Sequence, residues 1–309
     1  MPSPVATTSG GPSVDTLDRV KRLIVNADDF GLTSGVNHAI SELNKHKALT
    51  SASLMARATA TEEAIQLALH SQTLGVGCHV VLVDGEPVLS ARQDIPWLAD
   101  PMTGRFIPTL GDFVWTLYQE RARIFGAQPF IAEIESEAAA QIQALQNRGL
   151  RLTHFDTHKH THMFPRVLRP VLRAARASGI NVVRNPFEPQ WSLHATPGAP
   201  WLRRTQVRLL RTLEPAFRRI VAEEGFVTTD GAIGVLATGT LDSATISSLL
   251  RAMPEGTWEL VTHPGYNDND LAKAGTRLLA SRELERQALT EAAFANDIEL
   301  IHFGQLAIP

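Results

Sequence analysis

The chain has 309 residues, 44% of them hydrophobic and 20% charged, enough for one large α/β domain with a substantial core. A formal net charge of −3 leaves no electrostatic footprint for nucleic acid, and a single cysteine, Cys78, excludes a disulfide framework within the chain and fits a cytoplasmic protein. No stretch reaches the roughly 18 apolar residues that span a bilayer.

Residues 1–20 are rich in Ser, Thr, Pro and Gly and have no apolar run of signal-peptide length. They read as a flexible tail, with the domain proper at 21–309. An apolar run at 23–27 reads as the first strand and ends in Asn26-Ala27-Asp28-Asp29-Phe30-Gly31. Adjacent carboxylates repel. A cation that neutralises one while the other keeps a basic role accounts for the pair; so does a loop in which either aspartate caps the next helix. That helix is expected over 33–46, opened by Thr33 and Ser34. A strand at 51–56 and a helix at 62–70 follow, then a strand at 75–83 containing Gly75-Val76-Gly77-Cys78-His79. A histidine inside an apolar strand must satisfy two ring nitrogens, as a hydrogen-bonded core residue or as a ligand. Cys78 alternates to the other face and is not assigned as a ligand.

Residues 84–128 carry Pro87, Pro96, Pro101, Gly104 and Pro108 and read as an irregular insertion over one end of the domain. A helix at 129–148, begun by Pro129, precedes a strand at 152–157. There His154, His158, His160 and His162 place four of the eleven histidines within nine residues. Alternation would put Asp156, His158 and His160 on one face; an early helical turn would pair His158 with His162 instead. Protonated imidazoles repel, so the cluster points to metal binding or proton transfer. An aspartate two residues before a ligand histidine is placed to fix its tautomer. Helices at 165–178, 202–221, 243–253 and 281–296 alternate with strands at 182–185, 228–235, 258–263 and 299–303. Arg184 stands at the end of one strand. Another closes on Thr262-His263-Pro264-Gly265, where His263 either projects into the strand mouth or is a simple turn residue.

Strand–helix alternation implies a mostly parallel sheet. Eight expected strands suggest a single-domain (β/α) barrel, distorted or incomplete, with an open doubly wound sheet as the alternative. In barrels, chemistry sits at the carboxyl ends of strands, and Asp28, Asp29, His79, His158 and His263 recur at that end. One carboxylate and two histidines suit Zn²⁺ with positions left for water and substrate; Mg²⁺, Mn²⁺ and Co²⁺ are compatible. Two rivals are a metal-dependent phosphoesterase, which usually wants a second metal, and a non-catalytic glycan- or lipid-binding protein with a closed structural site. Segment 201–221 holds six arginines and one glutamate among Trp201, Leu202, Leu209, Leu210, Leu213, Phe217 and Ile220. It reads as a basic amphipathic helix lying on anionic lipid or as an ordinary barrel helix with a solvated basic face, kinked at Pro215.

Five blocks carry a family resemblance: LIVNADDFGL at 23–32, LTSASLM at 49–55, GVGCHVVLVDGEP at 75–87, HFDTHKHTHMFP at 154–165 and VTHPG at 261–265. Together, over roughly 22–305, the chain resembles the YdjC-like family of carbohydrate deacetylases. LVDGEPVLS at 82–90 and the arginine-rich stretch near 203–219 are similar to its hopanoid-biosynthesis-associated HpnK branch. The resemblance implies a distorted TIM-like barrel, metal ligands Asp29, His79 and His158, and removal of an acetyl group from an N-acetylglucosaminyl hopanoid or a chitooligosaccharide. With Asp29 on the metal, Asp28 becomes the general base and His263 the general acid. Asp156 would orient His158 or His263, and Arg184 would bind sugar hydroxyls or Asp28. His160 and His162 match the histidine block near the ligands or substrate without an assigned role. The expected partners are an N-acetylated sugar or glycolipid, an anionic membrane surface at the inner face of the cytoplasmic membrane, and a second copy of the chain.

Overall fold

The computed structural model describes residues 20–119 and 129–306; the expected tail at 1–20, apart from Val20, and insertion residues 120–128 lie outside them. In chain order the elements begin with β1 (Lys21–Phe30), α1 (Ser34–Lys45), β2 (Ser51–Leu54), α2 (Thr61–His70), β3 (Gly75–Val80), α3 (Leu110–Gln119), α4 (Pro129–Gln146) and β4 (Phe155–Thr157). They continue with α5 (Pro165–Ala177), α6 (Gln190–Ala195), α7 (Trp201–Leu210), α8 (Glu214–Glu223), β5 (Gly231–Ile233), α9 (Ser243–Ala252), β6 (Gly256–Thr262), α10 (Asn269–Lys273), α11 (Ala280–Glu291) and β7 (Ile298–Leu300). Thr33 caps α1 through its side chain, which accepts the Val36 N–H.

Every strand pair is parallel, in the order β4-β3-β2-β1-β6-β5, with β7 against the first residues of β1. Isolated bridges from Phe155 to Val183 and from Val182 to Val227 carry the curl onward from β4. The result is a distorted TIM-like barrel with seven strands among the described residues rather than eight. The expected strand at 182–185 contributes bridges alone, because Pro186 and Pro189 supply no ladder donors beyond it.

Two further expectations are corrected. The helix expected over 202–221 is two helices, broken by a 3₁₀ turn at Arg211–Leu213; Pro215, in the first turn of α8, has no N–H to continue the ladder. The insertion, expected irregular over 84–128, is irregular over 84–109 but carries α3 at Leu110–Gln119. Irregular backbone cannot pair its own amides, and buried carboxylates of α4 do so instead. Glu137 accepts the N–H groups of Val88 (2.8 Å) and Leu89 (3.0 Å), and Glu133 those of Trp97 (2.9 Å) and Leu98 (2.8 Å).

Strand alternation divides two environments. Outward residues such as Val25, Ala27 and Cys78 join the main apolar core with the helices. Inward residues grade along the barrel axis. At the amino end Ile24, Val182, Ile301 and Phe303 form a small apolar floor. Above it lie buried Asn26, His154, Asp156, Arg184 and Glu259. Gly77 makes room for this layer: a Cβ there would stand 2.5 Å from the His154 ring, which stacks on Phe303 at 3.9 Å.

Candidate metal centre

The carboxyl ends of β1, β3 and β4 build the site. At the end of β1 the pairing register slips between Ala27 and Phe30, and Asp29 adopts a left-handed φ of 62°. Aspartate tolerates that conformation better than bulkier residues. The kink separates two consecutive carboxylates: Asp28 meets Arg184, whereas Asp29 meets His79, His158 and Arg282.

Three donor atoms form a nearly equilateral triangle. Asp29 Oδ1 lies 3.5 Å from His79 Nε2 and 3.4 Å from His158 Nδ1, and the two ring nitrogens are 3.3 Å apart. Ligands about 2.0–2.1 Å from a tetrahedral cation sit about 3.3–3.4 Å from one another, so the triangle matches one face of such a sphere. Two of the donors are held by their other ends. His79 Nδ1 is 2.9 Å from Asp156 Oδ1, a contact set by the β3–β4 register that pairs His79 with Asp156. Nδ1 is therefore committed to Asp156, and Nε2 is the ring atom turned to the triangle. This corrects the expected partner of Asp156, which orients His79 rather than His158 or His263. Arg282 takes Asp29 Oδ2 at 2.5 Å and leaves Oδ1 to the triangle. Burial alone would raise the Asp29 carboxyl, but Arg282 and the two histidines hold it well below the usual range. Burial disfavours the His79 imidazolium, yet Asp156 and the other carboxylates push its pKa up to about 9.

Asp28, His79 and Asp156 form a second close group, but a guanidinium already fills it. Arg184 donates to Asp28 Oδ2 (2.9 Å) and Oδ1 (2.6 Å), to Glu259 (2.7 Å), and contacts Asp156. Fully enclosed, Arg184 lies on Asp28, not at a sugar-facing surface. Burial would raise the Asp28 carboxyl; Arg184 overcomes this and keeps it below its ordinary value.

His263 sits beside this pair, its Nε2 3.8 Å from Asp28 Oδ2, and burial lowers its pKa to about 4. Its backbone N–H donates to Glu285 Oε2 at 2.6 Å. Burial raises both Glu259 and Glu285 to about 7. His162 is buried, with Nδ1 2.7 Å from Thr157 Oγ1 and Nε2 3.2 Å from the Arg184 carbonyl. His160, in a left-handed turn with Lys159, lines the cavity, and burial lowers it to about 3. Asp28, Asp29, His79, His158 and His263 all border that cavity, about 540 Å³ in volume, within the range of small-molecule sites.

Arg282, Glu285, Glu259 and Asn26 were not singled out from sequence. Glu259 had a signal, a lone carboxylate inside the apolar run Trp258–Thr262. Arg282 and Glu285 had none, since the same residues decorate any solvated helix.

Residues 22–300 match the family described as YdjC-like protein. A carbohydrate deacetylase from Brevibacillus brevis is 33% identical over 294 residues, which cover 92% of this chain and 99% of that protein. Another from Thermoanaerobacter pseudethanolicus is 27% identical over 278 residues, 88% of this chain and 92% of that one. A crystal structure of an Enterococcus faecalis V583 protein, described for cellobiose-phosphate cleavage, superposes with a TM-score of 0.71 over 94% of this chain and 100% of its own. At 24% identity that likeness bears on the fold alone.

Proposed function

The chain belongs to the YdjC-like protein family, and from that premise we propose that it is a metal-dependent hydrolase removing the acetyl group from an N-acetylglucosaminyl substrate. The triangle of Asp29 Oδ1, His79 Nε2 and His158 Nδ1 at the cavity wall carries this reading, and the carbohydrate deacetylases among its relatives support it. The donor set suits Zn²⁺ first and Mg²⁺, Mn²⁺ or Co²⁺ next. A bound divalent cation would supply water activation and polarise the acetyl carbonyl.

The protein's own residues do the rest. Asp29, His79 and His158 hold the cation, with Arg282 and Asp156 fixing two of them. Asp28, kept ionised by Arg184, accepts the proton of the attacking water. His263 Nε2 returns a proton to the departing amine. The second carboxylate group is filled by Arg184, which disfavours the two-metal arrangement of many phosphoesterases.

The substrate fitting the surroundings best is an N-acetylglucosaminyl hopanoid glycolipid, as in the HpnK branch. Helix α7 buries none of its side chains; Trp201, Leu202 and Leu209 are 77%, 54% and 68% exposed. Arg203 of the same helix lines the cavity. A basic, apolar rim beside the site suits a lipid-linked sugar presented at the inner face of an anionic membrane. A chitooligosaccharide is the alternative. No described helix is long and apolar enough to cross a membrane. The test is acetate release from N-acetylglucosaminyl lipids, chitooligosaccharides and p-nitrophenyl phosphate side by side, with flotation on anionic and neutral liposomes. Acetate from the glycolipid and binding to anionic liposomes are expected. Phosphate release without acetate would overturn the reading, and absence from all liposomes would remove the membrane contact.

A further inference from the structure

We propose that Glu285 is a positioning residue for His263: its carboxylate accepts the imidazole Nδ1–H and holds Nε2 towards Asp28 and the cavity. The inference rests on the proton-donor role given above to His263. Helix α11 reaches the site twice. Arg282 takes Asp29, and three residues later on the same helical face Glu285 takes the backbone N–H of His263. Glu285 is 1% exposed, which is costly for a carboxyl group without compensating partners. Its Oε1 and the His263 Nδ1 are both buried without a hydrogen-bond partner among the described residues. Glu285 Oε2 lies 4.0 Å from that Nδ1. On the other side of the ring, Asp28 Oδ2 lies 3.8 Å from Nε2. The imidazole thus stands between two carboxylates, and catalytic hydrogen bonds are often longer before substrate binds than after.

The proton path balances. As the water oxygen bonds to the acetyl carbon, its O–H bond breaks and Asp28 gains the proton. Asp28 passes it to His263 Nε2, giving an imidazolium flanked by two carboxylates. The Nε2–H bond breaks as the amine N–H forms and the C–N bond breaks; the acetic acid sheds the second proton of the water to solvent, so acetate and free amine leave. The Nδ1–H stays on the ring, donated to Glu285 throughout, and keeps Nε2 as the transferring atom.

Glu285→Gln keeps an oxygen acceptor for the His263 N–H and removes the charge. On N,N′-diacetylchitobiose, kcat should fall about tenfold or more, given the 10²–10⁴-fold typical of general acid–base catalysis, with KM and bound metal unchanged. On p-nitrophenyl acetate, whose phenolate leaves without a proton, the loss should be clearly smaller than on the amide. His263→Ala should lose most amide turnover, and adding Glu285→Gln to it should cost nothing further. An unchanged kcat on the amide, or an equal loss on amide and ester, would overturn the proposal. Should the variant not fold, ¹⁵N spectra of histidine-labelled wild-type protein decide: a neutral His263 protonated at Nδ1 supports the proposal, and one protonated at Nε2 contradicts it. Failure of the deacetylase reading looks different, with wild-type protein releasing no acetate from the amide; the ring tautomer then decides alone.

Discussion

Asp28 and Asp29 are adjacent in the chain yet belong to two charge networks, one centred on Arg184 and the other on the histidine triangle. Their substitutions should therefore separate. Asp28→Asn is expected to retain metal and lose kcat about 100-fold or more, checked by elemental analysis of dialysed protein beside acetate release; near-wild-type turnover would refute the base role. His158→Ala is expected to lose the metal itself by the same analysis. Buried acids also give the fold a pH signature. Glu259 is raised from an ordinary 4.5 to about 7, so its contribution to stability is full below pH 4.5 and is lost as pH rises through about 7. Asp28 and Asp29 shift the other way; theirs is present above 3.8 and lost as pH falls below it. Glu259→Gln should accordingly flatten the fall of Tm between pH 5 and pH 8 by a few degrees in calorimetry of chelated protein, and an unchanged slope would contradict this. Sequence reasoning singled out Asp28, Asp29, His79, His158 and His263, which border one cavity, because polar residues at strand ends interrupt apolar runs. It misassigned the partner of Asp156 because that partner lies across the sheet and depends on register.

At the scale of elements, alternation between periods of two and 3.6 residues made the parallel sheet and most helices legible. The misses have local causes. Residues 182–185 form bridges without a full ladder because Pro186 and Pro189 follow, and the stretch 202–221 breaks where the Pro215 ring removes a donor. The insertion's attachment to α4 was invisible because carboxylates serving distant amides resemble ordinary helix-surface charge. Those carboxylates are testable. Glu137→Leu leaves two amides, of Val88 and Leu89, without their acceptor, at about 1–3 kcal/mol each. The variant should melt several degrees lower and be cut by protease within residues 84–109 first. Unchanged Tm and cleavage would show that α4 does not hold the insertion. Gly77→Ala should also destabilise, since its Cβ would meet the His154 ring in a layer with no slack; an unaltered Tm would contradict that packing.

Across the whole molecule, the barrel brings donors from residues 29, 79 and 158 to one rim and separates that triangle from the Arg184 network beneath it. An apolar floor, a charged middle and an open upper cavity follow one another along the axis. On the proposed reading the rim holds one divalent cation and hydrolyses an acetamido group with it. The most direct test is acetate release from an N-acetylglucosaminyl substrate by chelator-treated protein titrated with Zn²⁺. Activity should be absent at the start, rise in proportion to metal and level off at one equivalent per chain. Full acetate release in the presence of chelator and before any metal is added would contradict it.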